Sequence, residues 1–351
     1  MRQLILWLAL AVSIPSLRAH VSEFEQQMGK GTEYWIHISK LEDVQALKKF
    51  EALYEKNKIY RFTEEGEFRI PKVIHFIWLG PAPFPPQSVE NVRSWIAKHP
   101  NWKVKFWTDR DRFAPCNSME VCDANQFPFL FLRHCFEESK DWREMSDILR
   151  FEILYQEGGL YLDHDASCLQ NFDSLHRGYH FFSGLETPHA PFAGRNISSG
   201  LGVIGSCPFH PVVGRVIELI GESWSDLGIK YRGKDFFSQM QLVRERTTIP
   251  LTVALLERMD EDGNIDIVFP AAYFYGKKEI TPIYSRHLYQ GSCPDSEMNT
   301  IHVAKNTKRA LGVLKKKSNT ILWIGRGTIS INLLACVGLF LYLFRKKQRG
   351  G

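Results

Sequence analysis

Apolar positions recur at helical intervals through residues 20–68, where Leu41, Val44, Leu47 and Tyr54 share one stripe and Ser39 and Glu42 stand at capping-box spacing. This predicts a helical lead-in. At Ile70 the pattern changes to a continuous apolar run, Pro71 to Gly80, that passes into a Gly/Pro-rich loop, the signature of a short buried strand. Residues 88–98 return to helical periodicity, and Trp102 to Trp107 alternates as a second strand running into Thr108-Asp109. Met145, Ile148, Leu149 and Ile153 then form a helical stripe that Gly158-Gly159 can end, before Leu160 to Asp165 reads as another strand. Further strands are expected at 200–204 and 265–269, with helices at 212–220 and 251–258. Strand, helix and strand in succession predict a parallel α/β sheet.

Both ends carry a different pattern. Arg2 precedes an apolar run from Leu4 to Ile14, followed by Pro15, Ser16 and Ala19, so residues 1–19 read as a secretory signal peptide or an uncleaved signal anchor. Gly327 to Phe344 is an 18-residue stretch without charge. At about 1.5 Å per residue it spans roughly 27 Å, close to the hydrocarbon thickness of a bilayer. It is expected to be a transmembrane helix, with a basic linker at 311–326 before it and a basic tail at 345–351 after it.

Charge sharpens this division. Eleven of the 44 Lys and Arg residues lie between Lys305 and Arg349, which leaves 33 basic against 39 acidic residues, a body of about −6. Such a body is not a nucleic-acid binder. Basic residues flank both sides of the apolar stretch, so charge does not choose an orientation; a cleaved signal would put the body on the lumenal or extracytoplasmic side. Six of the seven cysteines (Cys116, Cys122, Cys135, Cys168, Cys207, Cys293) lie outside the C-terminal apolar stretch, open to bridging or to burial as small hydrophobes, and none has zinc-like CxxC spacing. One sequon occurs, at Asn196-Ile197-Ser198.

The chemistry centres on Asp163-His164-Asp165. On a strand the two carboxylates would point to one side and His164 to the other. Paired carboxylates suit a hard divalent cation, Mn²⁺ or Mg²⁺, whose remaining positions can take diphosphate oxygens and water. Upstream, Asp147 and Arg150 stand three apart on one helix face. They read either as an ion pair or as a carboxylate and a guanidinium aimed at sugar and phosphate oxygens.

Ile70 to Gly80, Trp102 to Asp109, Ser146-Asp147-Ile148-Leu149-Arg150-Phe151, and Gly158-Gly159-Leu160-Tyr161-Leu162-Asp163-His164-Asp165 together resemble glycosyltransferase family 32, the transferases with a DxD sugar-binding region. That group includes fungal α-1,6-mannosyltransferases and mannosyl phosphorylinositol ceramide synthases. The match is strong over residues 70–175. It implies a GT-A, Rossmann-like nucleotide-sugar-binding domain, here 69–310, together with a divalent cation and transfer with retention. Carried across, Asp147 and Arg150 would contact the donor sugar, Asp163 the donor and the metal, Asp165 the metal, and His75 and Trp78 would approach the nucleotide base. Later the match weakens: Ile249-Pro250 stands where the family often has Gly-Pro. His302 stands for a closing histidine beside metal or phosphate, but without the aromatic residues that usually follow. Ser198 to Gly202 falls where an acceptor-side strand should begin, and its small side chains would leave room for an acceptor. Glu186 is the nearest acidic candidate for a catalytic nucleophile, and a front-face mechanism with the leaving diphosphate as the base would require none.

These readings imply a metal-dependent hexosyltransferase, mannose favoured, using GDP-mannose or a UDP-hexose and a lipid or glycan acceptor near a membrane, such as an inositol phospholipid or sphingolipid. A metal-dependent phosphohydrolase and a catalytically silent sugar-binding ectodomain are the competing readings.

Overall fold

The computed structural model describes residues 21–189, 195–232 and 235–289. The expected signal segment, basic linker, transmembrane helix and basic tail, together with His302 and Cys293, lie outside them. Among the described residues no helix is long and apolar enough to cross a membrane.

Seven strands form the central sheet: β1 (Val73–Trp78), β2 (Lys103–Thr108), β3 (Glu120–Asp123), β4 (Gly159–Leu162), β6 (Phe181–Gly184), β7 (Val203–Ser206) and β8 (Asp266–Phe269). Their order is β3-β2-β1-β4-β7-β6-β8. Two short strands, β5 (Ala166–Cys168) and β9 (Ser285–His287), pair separately. Nine helices are described: α1 (Glu23–Gln27), α2 (Leu41–Asn57), α3 (Ser88–Lys98), α4 (Arg133–Glu138), α5 (Trp142–Glu157), α6 (Asp173–Gly178), α7 (Pro211–Lys230), α8 (Phe236–Val243) and α9 (Ile249–Arg258).

The sheet is mixed, not parallel throughout. β1 pairs in parallel with β2 and β4, β2 with β3, and β6 with β8. β7 runs antiparallel to both neighbours, β4 and β6. The reversal matters for the site: pairing of Leu162 with Val203 sets the start of β7 beside the end of β4. The chain before β7, Ser199 to Gly202, therefore arrives at the carboxyl ends of β1 and β4, the edge at which open α/β sheets bind ligands.

The lead-in is helical but packs as part of the core. Phe24, Phe50 and Tyr54 are fully buried, and the Tyr54 hydroxyl lies 3.0 Å from that of Tyr273. The expected capping box at Ser39 does not form. Helix α2 begins one residue later, with Lys40 at the N-cap and no side-chain cap, while Asp43 accepts the Asn196 backbone N–H at 3.1 Å. A capping box does occur at Ser22 and Glu25, at the start of α1.

Cys116, Cys122, Cys135, Cys168 and Cys207 are free thiols, and burial pushes Cys135 and Cys168 up to about 12. Asn196 of the sequon is buried, its side-chain amide donating to the His37 carbonyl. In this fold that nitrogen is enclosed and bonded.

Candidate metal and donor site

Helix α5 and strand β4 are joined by Gly158 (φ +65°) and Gly159 (φ +98°). A Cβ at Gly159 would lie 2.7 Å from the Val73 carbonyl oxygen, and one at Gly158 2.7 Å from that of Ser206. Only glycine meets both the backbone angle and the space. The tight reversal sets β4 directly against β1 and carries the chain to the Asp163-His164-Asp165 segment.

Strand β4 ends at Leu162, so the two aspartates sit in the turn leading to β5 and not on the strand itself. Backbone bonds fix that turn: Asp163 N–H donates to the Gly202 carbonyl (2.9 Å), and Ala166 N–H to the Asp163 carbonyl (3.1 Å). His164 turns away from the carboxylates. Its Nδ1 lies 2.8 Å from Ser88 Oγ, and its ring packs edge-on against Trp78 and Phe84.

A third group meets the aspartates. Antiparallel pairing of β5 with β9 aligns Ala166 with His287, placing His287 Nε2 3.2 Å from Asp163 Oδ2 and 3.5 Å from Asp165 Oδ1. One ligand atom from each of Asp163, Asp165 and His287 lies within 4.8 Å of the others. Two carboxylates and an imidazole, with the Asp163 side chain still 29% exposed, form a donor set that suits a divalent cation and that a ligand can reach. Burial would raise the Asp163 carboxyl, but the His287 hydrogen bond and the Arg150 charge hold it well below the usual carboxylate range. Burial would lower His287, and the hydrogen bond to Asp163 with the charges of Asp165 and Asp163 raises it instead. His287 Nε2 thus contacts both carboxylates, the place a bound cation would take over.

Arg150 joins this group to Asp147. Its guanidinium donates to Asp147 Oδ1 (2.5 Å) and to the Leu201 carbonyl (2.6 Å), lies 3.7 Å from Asp163 Oδ1, and covers the Tyr161 ring at 4.0 Å. Tyr161 in turn donates its hydroxyl to Asp163 Oδ1 at 2.8 Å. Asp147 is buried; burial raises its carboxyl to about 6 against the opposing pull of Arg150 and of the Thr247 hydroxyl, which donates to Asp147 Oδ2 at 2.6 Å. The pair is thus a buried, multiply bonded ion pair and not a surface one.

The other sequence-derived positions fall differently. His75 is fully buried; one ring nitrogen meets the Gly158 carbonyl at 2.9 Å, the other accepts from Trp107 Nε1 at 3.2 Å, and burial lowers it to about 3. A neutral, doubly bonded core histidine has no atom left for a nucleotide. Trp78 is half-buried at the end of β1, its indole N–H donating to the Ala82 carbonyl. Asp109 ties the two loops together by accepting the Gly80 N–H at 3.1 Å.

The small residues before β7 do not leave an open space. A Cβ at Gly200 would lie 2.4 Å from the Tyr275 ring, and one at Gly202 2.7 Å from Asp163 Oδ2 and 2.8 Å from His287 Nε2. Glycine here lets Tyr275, Asp163 and His287 close in. Glu186, just past β6, lies 3.1 Å from His189 Nε2 and 3.7 Å from Arg244. Although burial opposes it, the His189 hydrogen bond and the charges of Arg244, His189 and Lys277 bring its carboxyl down to about 2.

His287 and Thr247 did not stand out in the sequence; Tyr161 stood there only as part of the motif, and Gly202 as room for an acceptor and not as a neighbour of Asp163 and His287. A signal existed for the first: His287 is followed two residues later by Tyr289, closer to the histidine-then-aromatic pattern than His302-Val303-Ala304.

Residues 85–182, which include the aspartate turn, match the family model described as "Glycosyltransferase sugar-binding region containing DXD motif". The chain is similar to "Subversion of eukaryotic traffic protein A" of Legionella pneumophila, 32% identical over 131 residues (33% of this chain, 20% of that protein). It is likewise similar to "Inositol phosphoceramide mannosyltransferase 3" of Schizosaccharomyces pombe, 33% identical over 107 residues (30% of this chain, 27% of that protein). The matches therefore span about a quarter or less of those relatives' lengths. Among solved structures, "PaToxG Glycosyltransferase" overlays with a TM-score of 0.41 at 17% identity, covering 63% of this chain and 81% of that one, a likeness too loose to bear on the site. Across residues 85–182, then, this chain is similar to the sugar-binding region of the DXD-containing glycosyltransferases.

Proposed function

We propose that the protein is a metal-dependent glycosyltransferase of GT-A type that moves a hexose, mannose favoured, from a nucleotide sugar to a membrane-proximal acceptor with retention at the anomeric carbon. The observation that carries this reading is the meeting of Asp163, Asp165 and His287 beside the buried Arg150–Asp147 pair. A Mn²⁺ or Mg²⁺ ion held by the first three would neutralise charge growing on the departing nucleoside diphosphate. In this reading Arg150, bonded to Asp147 and near Asp163, would donate to donor sugar or phosphate oxygens, and Asp147 would accept from sugar hydroxyls through the lone pairs that Arg150 and Thr247 leave. Mannose and an inositol-containing lipid acceptor rest on the name of the S. pombe relative and on the apolar, basic-flanked C-terminal sequence.

A two-metal phosphohydrolase would need a second cation about 3.5–4 Å from the first and further carboxylates to hold it. The nearby Asp147 is instead engaged by Arg150 and Thr247. The test is a transfer assay on the full chain with Mn²⁺, offering GDP-mannose, UDP-glucose and UDP-galactose against inositol phosphosphingolipid vesicles. Mannosylated lipid is the expected product. Transfer from a UDP-hexose would move the donor assignment, and release of phosphate from substrates without a nucleoside would contradict the proposal.

A further inference from the structure

Between α8 and α9 the chain makes one π-helical turn, Arg244–Thr248, closed by a bond from the Ile249 N–H to the Arg244 carbonyl. Such turns hold an extra residue and recur at functional sites. An α-helical turn would bring positions three apart onto one face; the added residue spreads Arg244 and Thr247 toward different targets. Thr247 donates to Asp147 Oδ2 at 2.6 Å. Arg244 donates to Ser198 Oγ at 2.9 Å and lies 3.7 Å from Glu186 Oε2.

The turn is anchored between them. The Arg246 guanidinium stacks 3.7 Å over the Trp224 ring, donates to the Trp224 carbonyl at 2.6 Å, and bonds Glu144 of α5 at 3.3 Å. Gly228 of α7 leaves it the space, since a Cβ there would lie 2.6 Å from Arg246 Nη2. One clamped turn thus reaches Asp147 on one side and the Glu186–Ser198 group on the other.

We propose that this π-helical turn fixes two carboxylates at once, Asp147 on the donor side and Glu186 beside Ser198, where an acceptor-side strand was expected to begin, with Thr247 and Arg244 as positioning residues of the transfer reaction. The inference rests on the glycosyltransferase reading above and deepens it. Thr247 orients Asp147 toward the donor sugar, so its loss is felt by the sugar and not by the nucleoside diphosphate. Arg244 fixes Glu186 and Ser198, so its loss is felt by the acceptor.

The experiment compares the parent protein with T247V, T247S and R244Q, using calorimetry with Mn²⁺ and either nucleotide sugar or free nucleoside diphosphate, and an assay that separates transfer from donor hydrolysis. T247V is expected to weaken nucleotide-sugar binding by about tenfold or more, the worth of a hydrogen bond to a charged group, with nucleoside diphosphate binding unchanged and T247S restoring the loss. R244Q is expected to leave donor binding intact and raise the hydrolysis-to-transfer ratio about tenfold. Equal effects of T247V on sugar-bearing and sugar-free nucleotides, equal behaviour of T247V and T247S, or an unchanged hydrolysis ratio in R244Q would each overturn the inference alone. If the parent binds no nucleotide sugar, the glycosyltransferase reading falls and takes this one with it.

Discussion

Asp163 keeps its charge because several groups face it at once: the Tyr161 hydroxyl, His287 Nε2 and the Arg150 guanidinium. That crowding needs a glycine opposite. Gly202→Ala would set a methyl group 2.7 Å from the Asp163 carboxylate and 2.8 Å from His287. We expect it to weaken Mn²⁺ affinity at least tenfold with little change in Tm, read by metal titration alongside thermal unfolding. Asp165→Asn removes a metal charge without removing bulk, so transfer should fall below about a tenth of the parent even in excess Mn²⁺, a barrier rise of more than about 1.4 kcal/mol. Asp147 supplies a pH test. Its carboxyl is raised from 3.8 to about 6, so the folded state holds that proton more tightly than the unfolded one, and the resulting stability is present at low pH and lost as pH rises through 6. The Tm of Asp147→Asn relative to the parent should therefore climb between pH 4 and pH 7; a flat difference would reject the shifted carboxyl. The SDxxR and DxD residues were legible as a motif. His287 carried only the faint signal of the Tyr289 that follows it, because its place depends on a two-strand pairing 124 residues beyond Asp163 in the chain, which local spacing does not record.

At the scale of elements, the Gly158-Gly159 reversal is what brings helix and strand into line. Gly159→Ala combines a left-handed backbone angle with a clash against the Val73 carbonyl, and should cost about 2 kcal/mol or more in urea unfolding; a loss under about 0.5 kcal/mol would show that the turn relaxes freely. Helices α3, α5 and α9 and strands β1, β2 and β8 follow their apolar periodicities closely, since each buries a face that the sequence displays, whereas α7 runs on past the expected end at Ile220 to Lys230. Two features escaped. The strand read through Asp165 stops at Leu162, because Asp163 and Asp165 bond into a turn. The reversed direction of β7 was equally hidden: an apolar tetrapeptide such as Val203–Ser206 looks alike whichever way it runs.

At the scale of the whole molecule, β7 closes the site by carrying Leu201 and Gly202 to Arg150 and Asp163, while helix α5 presents Asp147 and Arg150 from the other side. The acidic body and the basic, apolar C-terminal sequence divide the chain into parts of opposite charge. Donor binding in the proposed reaction depends on a cation held by Asp163, Asp165 and His287. The most direct measurement is calorimetric titration of GDP-mannose into the full chain with and without Mn²⁺, repeated on Asp165→Asn and His287→Ala. The expected result is binding that requires Mn²⁺ in the parent and is lost in both variants. Nucleotide-sugar binding of equal strength without metal, or undiminished in the two variants, would contradict it.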